Sequence, residues 1–185
     1  MYKDVHDVIG KEAQIFRCLP SKSLGLFLKI NLEESGFKLR KVIFMGPVGC
    51  GKTTLSQRML GLALHYDKTQ TVAFYSDIID TPGEYILHRQ YYSALSVTAA
   101  EADVIALMQS ATDKTQVYSP GFGSIFPKPV IGIVSKTDIA ESDAVIQQTK
   151  QRLREAGARQ VFCLSAVDEM GVKELLTYLE EEEIK

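Results

Sequence analysis

Gly46-Pro47-Val48-Gly49-Cys50-Gly51-Lys52-Thr53 sets two glycines, a lysine and a hydroxyl in the spacing GxxxxGK[ST], directly after the apolar run Lys41 to Met45 and ahead of a helical pattern. Glycines let the backbone turn tightly enough for successive N–H groups to converge on phosphate oxygens. The helix behind them brings about half a positive charge to its N-terminus. Lys52 is expected to bridge the β and γ phosphates, and the Thr53 hydroxyl to ligate Mg²⁺. We read the cradle as Gly46 through Thr54. Within it, Val48 puts a β-branched side chain where it would crowd the γ-phosphate and obstruct an incoming arginine. Cys50 has two readings: a thiol acidified beside phosphate at a helix N-terminus, or a small packing residue.

Asp80-Thr81-Pro82-Gly83 fits DxxG at the end of a strand pattern, 27 residues beyond Thr53. Asp80 would hold Mg²⁺ through water, and the Gly83 N–H would meet the γ-phosphate. Between the two motifs, Lys68-Thr69-Gln70-Thr71 offers a hydroxyl for the remaining metal position. Thr69 is preferred, because Thr71 starts an alternating strand. Glu84 follows Gly83, where a carboxylate would face the γ-phosphate and be repelled by it. It acts either as a base with a raised pKa or as an inert group turned outward, and slow intrinsic turnover is expected.

Ser135-Lys136-Thr137-Asp138 closes the apolar run Val130 to Val134. Asp138 can accept two hydrogen bonds from guanine N1–H and its exocyclic amine, a charge-assisted pair that adenine cannot reciprocate. The Lys136 stem would pack along the base, and Ser165-Ala166 would offer a backbone N–H to the guanine carbonyl. Ser135 is too short to span as far as an asparagine, and one lost buried hydrogen bond is worth about 1–3 kcal/mol. Guanine is therefore expected, with ATP still open.

These residues need elements to carry them. Lys41 to Met45, Thr71 to Ser76, Asp77 to Asp80, Asp103 to Met108, Val130 to Val134 and Val161 to Leu164 are of strand length. Their continuous apolar runs suit strands covered on both faces. Ile146, Thr149, Leu153 and Ala156 mark a helix capped by Ser142 and closed by Gly157. Val172, Leu175, Leu176 and Leu179 mark another over Asp168 to Glu182. Strands alternating with helices read as an α/β fold. Ser110 to Pro129 is the longest loop.

With these elements in order, the chain resembles the small Ras-like P-loop GTPases, and more narrowly the ethanolamine- and propanediol-utilisation family, EutP/PduV. The residues that carry the resemblance are GPVGCGKTTL (Gly46 to Leu55), ALHYDKTQ (Ala63 to Gln70), DTPGEY (Asp80 to Tyr85), YYSAL (Tyr91 to Leu95), SPGF (Ser119 to Phe122) and SKTD (Ser135 to Asp138). It implies a Ras-like three-layer sandwich with a mostly parallel six-stranded sheet, GTP or GDP with Mg²⁺, and Thr69 as the switch threonine. It also implies a bacterial microcompartment as the setting, and ALHY leans toward the propanediol branch. A serine at Ser135 is seen in relatives of this family and so need not mean lost function. The expected activity is a slow GTPase switch. The alternatives are a phosphotransferase passing the γ-phosphate to a short carboxylate, and a non-hydrolysing scaffold.

The 185 residues divide into an extension, 1–40, and a nucleotide-binding domain, 41–185. Tyr2, Val5, Val8, Ile9, Ala13 and Phe16 fall on one helical face. Residues 1–20 could target a microcompartment shell or its cargo, pack on their own domain, or fray. The switch surface, Thr69 and Asp80 to Tyr92, is the second expected contact. With 45% apolar and 24% charged residues the composition is that of a globular protein. Its net charge of −2 supplies no electrostatic footprint for nucleic acid or an anionic membrane. No run reaches membrane-span length. Cys18, Cys50 and Cys163 lack metal spacing and suit a reducing cytoplasm. Lys3, Asp4, His6 and Asp7 near Met1 read as no signal peptide.

Overall fold

The structure, a computed structural model, describes residues 39–64 and 69–180, so the helix expected over Tyr2 to Phe16 lies outside the described residues. Six strands form one sheet: β1 Val42–Met45, β2 Ala73–Phe74, β3 Ile78–Asp80, β4 Val104–Ser110, β5 Val130–Ser135 and β6 Gln160–Cys163, in the order β2-β3-β1-β4-β5-β6. Only β2 runs antiparallel to its neighbour. The helices are α1 Lys52–Met59, α2 Glu84–Leu87, α3 Tyr92–Ala99, α4 Asp143–Glu155 and α5 Val172–Leu179.

Every residue of β1, β3, β4 and β5 is buried, as continuous apolar runs in a parallel sheet require. Alternate side chains feed two cores. Ile43, Met45, Ile105 and Leu107 pack with Leu95 of α3 and Leu153 of α4. Phe44, Ala106, Met108 and Ile133 pack with Leu55 of α1 and Leu175 of α5. The result is a three-layer α/β sandwich.

Three expectations need correction. The strand expected over Thr71 to Ser76 shrinks to Ala73–Phe74, because the Tyr75 N–H turns back to the Ile78 carbonyl at 2.8 Å. Helix α5 does not open at Asp168. Glu169 and Gly171 have positive φ (60° and 73°), so a turn precedes the helix, and Glu180 is extended after it. The segment Ser110 to Pro129 is a loop for most of its length, but not from its first residue and not an exposed one. Ser110 completes β4, a 3₁₀ turn spans Phe122–Ile125, and Tyr118, Phe122 and Phe126 are buried in the first core.

Pairing also reaches slightly before residue 41. Leu39 bridges Glu180, and the Arg40 N–H donates to the Leu179 carbonyl at 2.8 Å. Beside Leu39 lies an apolar cavity of about 320 Å³, lined in part by Met59, Leu62, Tyr75 and Leu179. It holds none of the residues whose spacing suggested chemistry, so its size does not make it the site.

Candidate functional site

Strand β1 ends at Met45, and the chain turns at Gly46 with no space for a side chain. A Cβ there would sit 2.5 Å from the Met108 carbonyl oxygen and 2.7 Å from Cys50 Sγ. Gly51, with φ 95°, is the N-cap of α1. Lys52 and Thr53 therefore open the helix, where its N-terminal N–H groups and dipole face the loop. Lys52 is buried, and its Nζ donates to the carbonyls of Gly46 (2.8 Å) and Pro47 (3.0 Å). The cation is thus folded over the cradle it is expected to serve. Val48 stands half-exposed on the crest.

Cys50 overturns one of its two readings. The side chain is buried against Gly46, and burial pushes its thiol pKa up, with Lys52 offsetting only part of the effect. Desolvation outweighs the nearby cation, so Cys50 is a packing residue, not an acidified thiol.

Behind α1's first turn, three oxygens from three segments converge. The Thr53 hydroxyl donates to Asp80 Oδ2 at 2.7 Å and lies 2.6 Å from the Thr69 hydroxyl, which is itself 3.2 Å from Oδ2. Asp80 ends β3 and is 1% exposed, and its Oδ1 has no hydrogen-bond partner. Burial raises its carboxyl pKa above the ordinary 3.8, although hydrogen bonds from Thr53 and Thr69 and the charge of Lys52 pull the other way. Two hydroxyls and one carboxylate with an orphaned oxygen make a hard, all-oxygen donor set. That set fits Mg²⁺, which is commonly held by one or two carboxylates together with substrate phosphates. Thr69, not Thr71, is the threonine at this point.

Gly83 follows on the same segment and touches the cradle. A Cβ on it would lie 2.3 Å from Val48 N and 2.7 Å from the Pro47 carbonyl carbon. Glu84 opens α2 immediately after it and is half-buried. Tyr85 stacks on Tyr91 with ring centroids 4.8 Å apart, which ties α2 to the residues leading into α3.

At the other end of the cradle a cavity of about 120 Å³ is lined by Gly51, Thr54, Lys136, Asp138, Ser165 and Ala166 among others. Lys136 has φ 57°, an uncommon conformation for a side-chain-bearing residue, and exposed Asp138 sits in the 3₁₀ turn that follows. One expectation narrows here. Ser135, too short to span as an asparagine would, donates its buried hydroxyl to the Cys50 carbonyl at 2.5 Å, tying the end of β5 to the cradle. The Ser165 N–H is engaged with the Met170 carbonyl at 2.9 Å, so of the Ser165-Ala166 pair the N–H expected to face a base narrows to that of Ala166.

Two residues absent from the sequence reading complete the frame. The Tyr118 hydroxyl lies 2.9 Å from the Met45 carbonyl and 2.8 Å from that of Met108, so it joins the end of β1 to Met108 within β4, behind Gly46. Arg58 in the last turn of α1 donates to the Ala166 carbonyl (2.8 Å), the Val167 carbonyl (3.2 Å) and the Glu169 carboxylate (2.7 Å). The SPGF motif sits next to Tyr118 and was the only sequence signal near it; nothing in the sequence marked Arg58.

Comparison with known proteins agrees with this frame. Among solved structures, Era in complex with MgGDPNP and nucleotides 1506–1542 of 16S ribosomal RNA has the same fold, with a TM-score of 0.56 and 20% identity, over 80% of this chain and 59% of that one. The Propanediol utilization protein PduV of Citrobacter freundii is 44% identical over 145 residues, which is 78% of this chain and 96% of that protein. A protein of Salmonella typhimurium named Probable acetate kinase EutP is 37% identical over 145 residues, 76% of this chain and 89% of that one. Residues 39–181 match the family profile PduV-EutP, described as "Ethanolamine utilisation - propanediol utilisation". A Ras-like sheet, a profile match across three quarters of the residues and two long alignments agree: the chain belongs to the PduV-EutP family.

Proposed function

We propose that this protein is a Mg²⁺-dependent GTP-binding switch with slow hydrolysis, acting in ethanolamine or propanediol utilisation. The observation that carries the reading is the meeting of Thr53, Thr69 and Asp80 within 3.2 Å beside the buried Lys52. These residues lie on the cradle helix, the segment before β2 and the end of β3, and such a meeting suits a metal-bound triphosphate. Thr53, Thr69 and Asp80 would hold Mg²⁺, which supplies charge neutralisation at the β and γ phosphates when bound. Lys52 would turn from the Gly46 and Pro47 carbonyls toward phosphate oxygens, and the backbone N–H groups of the cradle and of Gly83 would orient them. Lys136, Asp138 and Ala166 would receive the base.

Hydrolysis would be slow because Glu84, where a water-orienting group is needed, would be turned outward and inert, and because Val48 crests the cradle. Thr69 and the segment Asp80 to Tyr92 would differ between the nucleotide states. Residues 1–40 would form an extension to the domain of residues 41–185, with residues 1–20 addressing a microcompartment. The test is calorimetry with GTP and with ATP in Mg²⁺ or EDTA. Tight binding of GTP that needs Mg²⁺ and weakens at least about tenfold in Asp80→Ala is expected, the scale of a lost charge-assisted contact. Equal affinity in EDTA would overturn the metal assignment.

A second reading has its own support: relatives aligned over most of their length bear the name Probable acetate kinase. The same phosphate cradle could serve transfer of the γ-phosphate to a carboxylate oxygen, since phosphoryl transfer rests on positioning and charge neutralisation.

A further inference from the structure

Helix α1 presents Lys52 and Thr53 in its first turn and Arg58 in its last. All three donor nitrogens of the Arg58 guanidinium are used, and every partner lies on the loop between β6 and α5. That loop is closed on itself by the Ser165 N–H to the Met170 carbonyl (2.9 Å) and the Asp168 N–H to Ser165 Oγ (3.2 Å). Glu169 reaches its partner with φ 60°, a conformation held only where the surroundings enforce it. The Arg58 and Glu169 side chains are 19% and 15% exposed, so the pair is largely shielded from solvent. A planar fork that meets two carbonyls and a carboxylate at once cannot be reproduced by lysine.

The loop held in this way is the one whose Ala166 borders the base cavity. Its grip on the Ala166 carbonyl fixes the peptide plane adjoining the Ala166 N–H. We propose that Arg58 is a positioning residue for base recognition: it sets the base-reading loop at a fixed distance from the phosphate-facing end of α1. A purine with a 6-oxo group is then met by the Ala166 N–H while its phosphates lie on the cradle. This rests on the nucleotide-binding reading above. The same contacts also explain why α1 and the loop before α5 stay in register across a separation of more than a hundred residues, 108 from Arg58 to Ala166.

The test measures dissociation constants for GDP and ADP with the full chain, comparing wild type with Arg58→Met, Arg58→Lys and Glu169→Gln, alongside thermal melts. Loss of Arg58 should lower the GDP-over-ADP preference about tenfold in Arg58→Met, the scale of a lost charge-assisted hydrogen bond. Arg58→Lys should recover part of it through the pairing with Glu169. A merely structural clamp would weaken both nucleotides by one factor, and an unchanged preference overturns the proposal. If Arg58→Met does not fold, Glu169→Gln carries the comparison, with a fall of about threefold expected and an unchanged ratio again overturning it. Wild-type protein that binds neither nucleotide overturns the nucleotide reading itself. Wild type that binds both equally overturns base recognition, and the role of Arg58 with it.

Discussion

Tyr118 shows what single residues contribute that motifs do not. Its hydroxyl sits between the carbonyls of Met45 and Met108, the side chain is buried, and burial pushes its pKa well above the ordinary 10.0. The sign follows from proton binding. Above pH 10 the unfolded chain loses this proton while the folded one keeps it, so the folded state is disfavoured as pH rises from 10 toward the raised folded value. Stability from Tyr118 is complete below pH 10 and declines above it, by up to about 1.4 kcal/mol per pH unit. Urea unfolding between roughly pH 9 and 11 should show a steeper decline in wild type than in Tyr118→Phe, and parallel declines would contradict the assignment. The cradle residues, Thr69 and Asp80 were legible in the sequence because their chemistry resides in side-chain type and spacing. Tyr118, Arg58 and the tie made by Ser135 were not, because each serves a backbone carbonyl: Met45, Ala166 and Cys50, at separations of 73, 108 and 85 residues. A carbonyl leaves no signature in a sequence.

At the scale of elements, strands were read well where both faces are buried. Runs such as Val42–Met45 and Val130–Ser135 have no polar residue to blur their ends until the last position. Strand β4 runs past its expected end at Met108 because Gln109 and Ser110 are polar yet buried, with Gln109 Nε2 donating to the Thr115 carbonyl at 2.7 Å. The burial of the loop after β4 was not legible, for a related reason. Its prolines and glycines signal a loop, but Phe122 meets the rings of Tyr92, Tyr118 and Phe126 at 5.4, 5.5 and 5.6 Å. The N–H groups of Gly121 and Gly123 also close on the carbonyls of Glu155 and Ala156 at the end of α4. Aromatic packing across distant segments has no local period to read. Phe122→Ala should therefore cost about 3–5 kcal/mol of stability, as truncation of a core phenylalanine does. Chemical denaturation measures this, and a loss below about 1 kcal/mol would mean the segment does not belong to the core.

For the molecule as a whole, the sheet order puts the cradle after β1 and Asp80 at the end of neighbouring β3. The segment Ser135 to Asp138, at the end of β5, lies two strands to the other side. Three motifs far apart in sequence become one row along one sheet edge. Leu39 and Glu180 pair at the opposite end of the sheet. A targeting role for residues 1–20 predicts that a fluorescent reporter fused to them forms foci in cells making microcompartment shells and stays diffuse in cells without them. Diffuse signal in both would remove that role.

The fate of the γ-phosphate decides between the two activities. Purified protein with Mg²⁺ and γ-labelled GTP or ATP, with and without acetate or propionate, separates a switch from a carboxylate kinase in one measurement. A GTPase switch releases label from GTP slowly to water at a rate indifferent to carboxylate. Label appearing as an acyl phosphate only when carboxylate is present would contradict it.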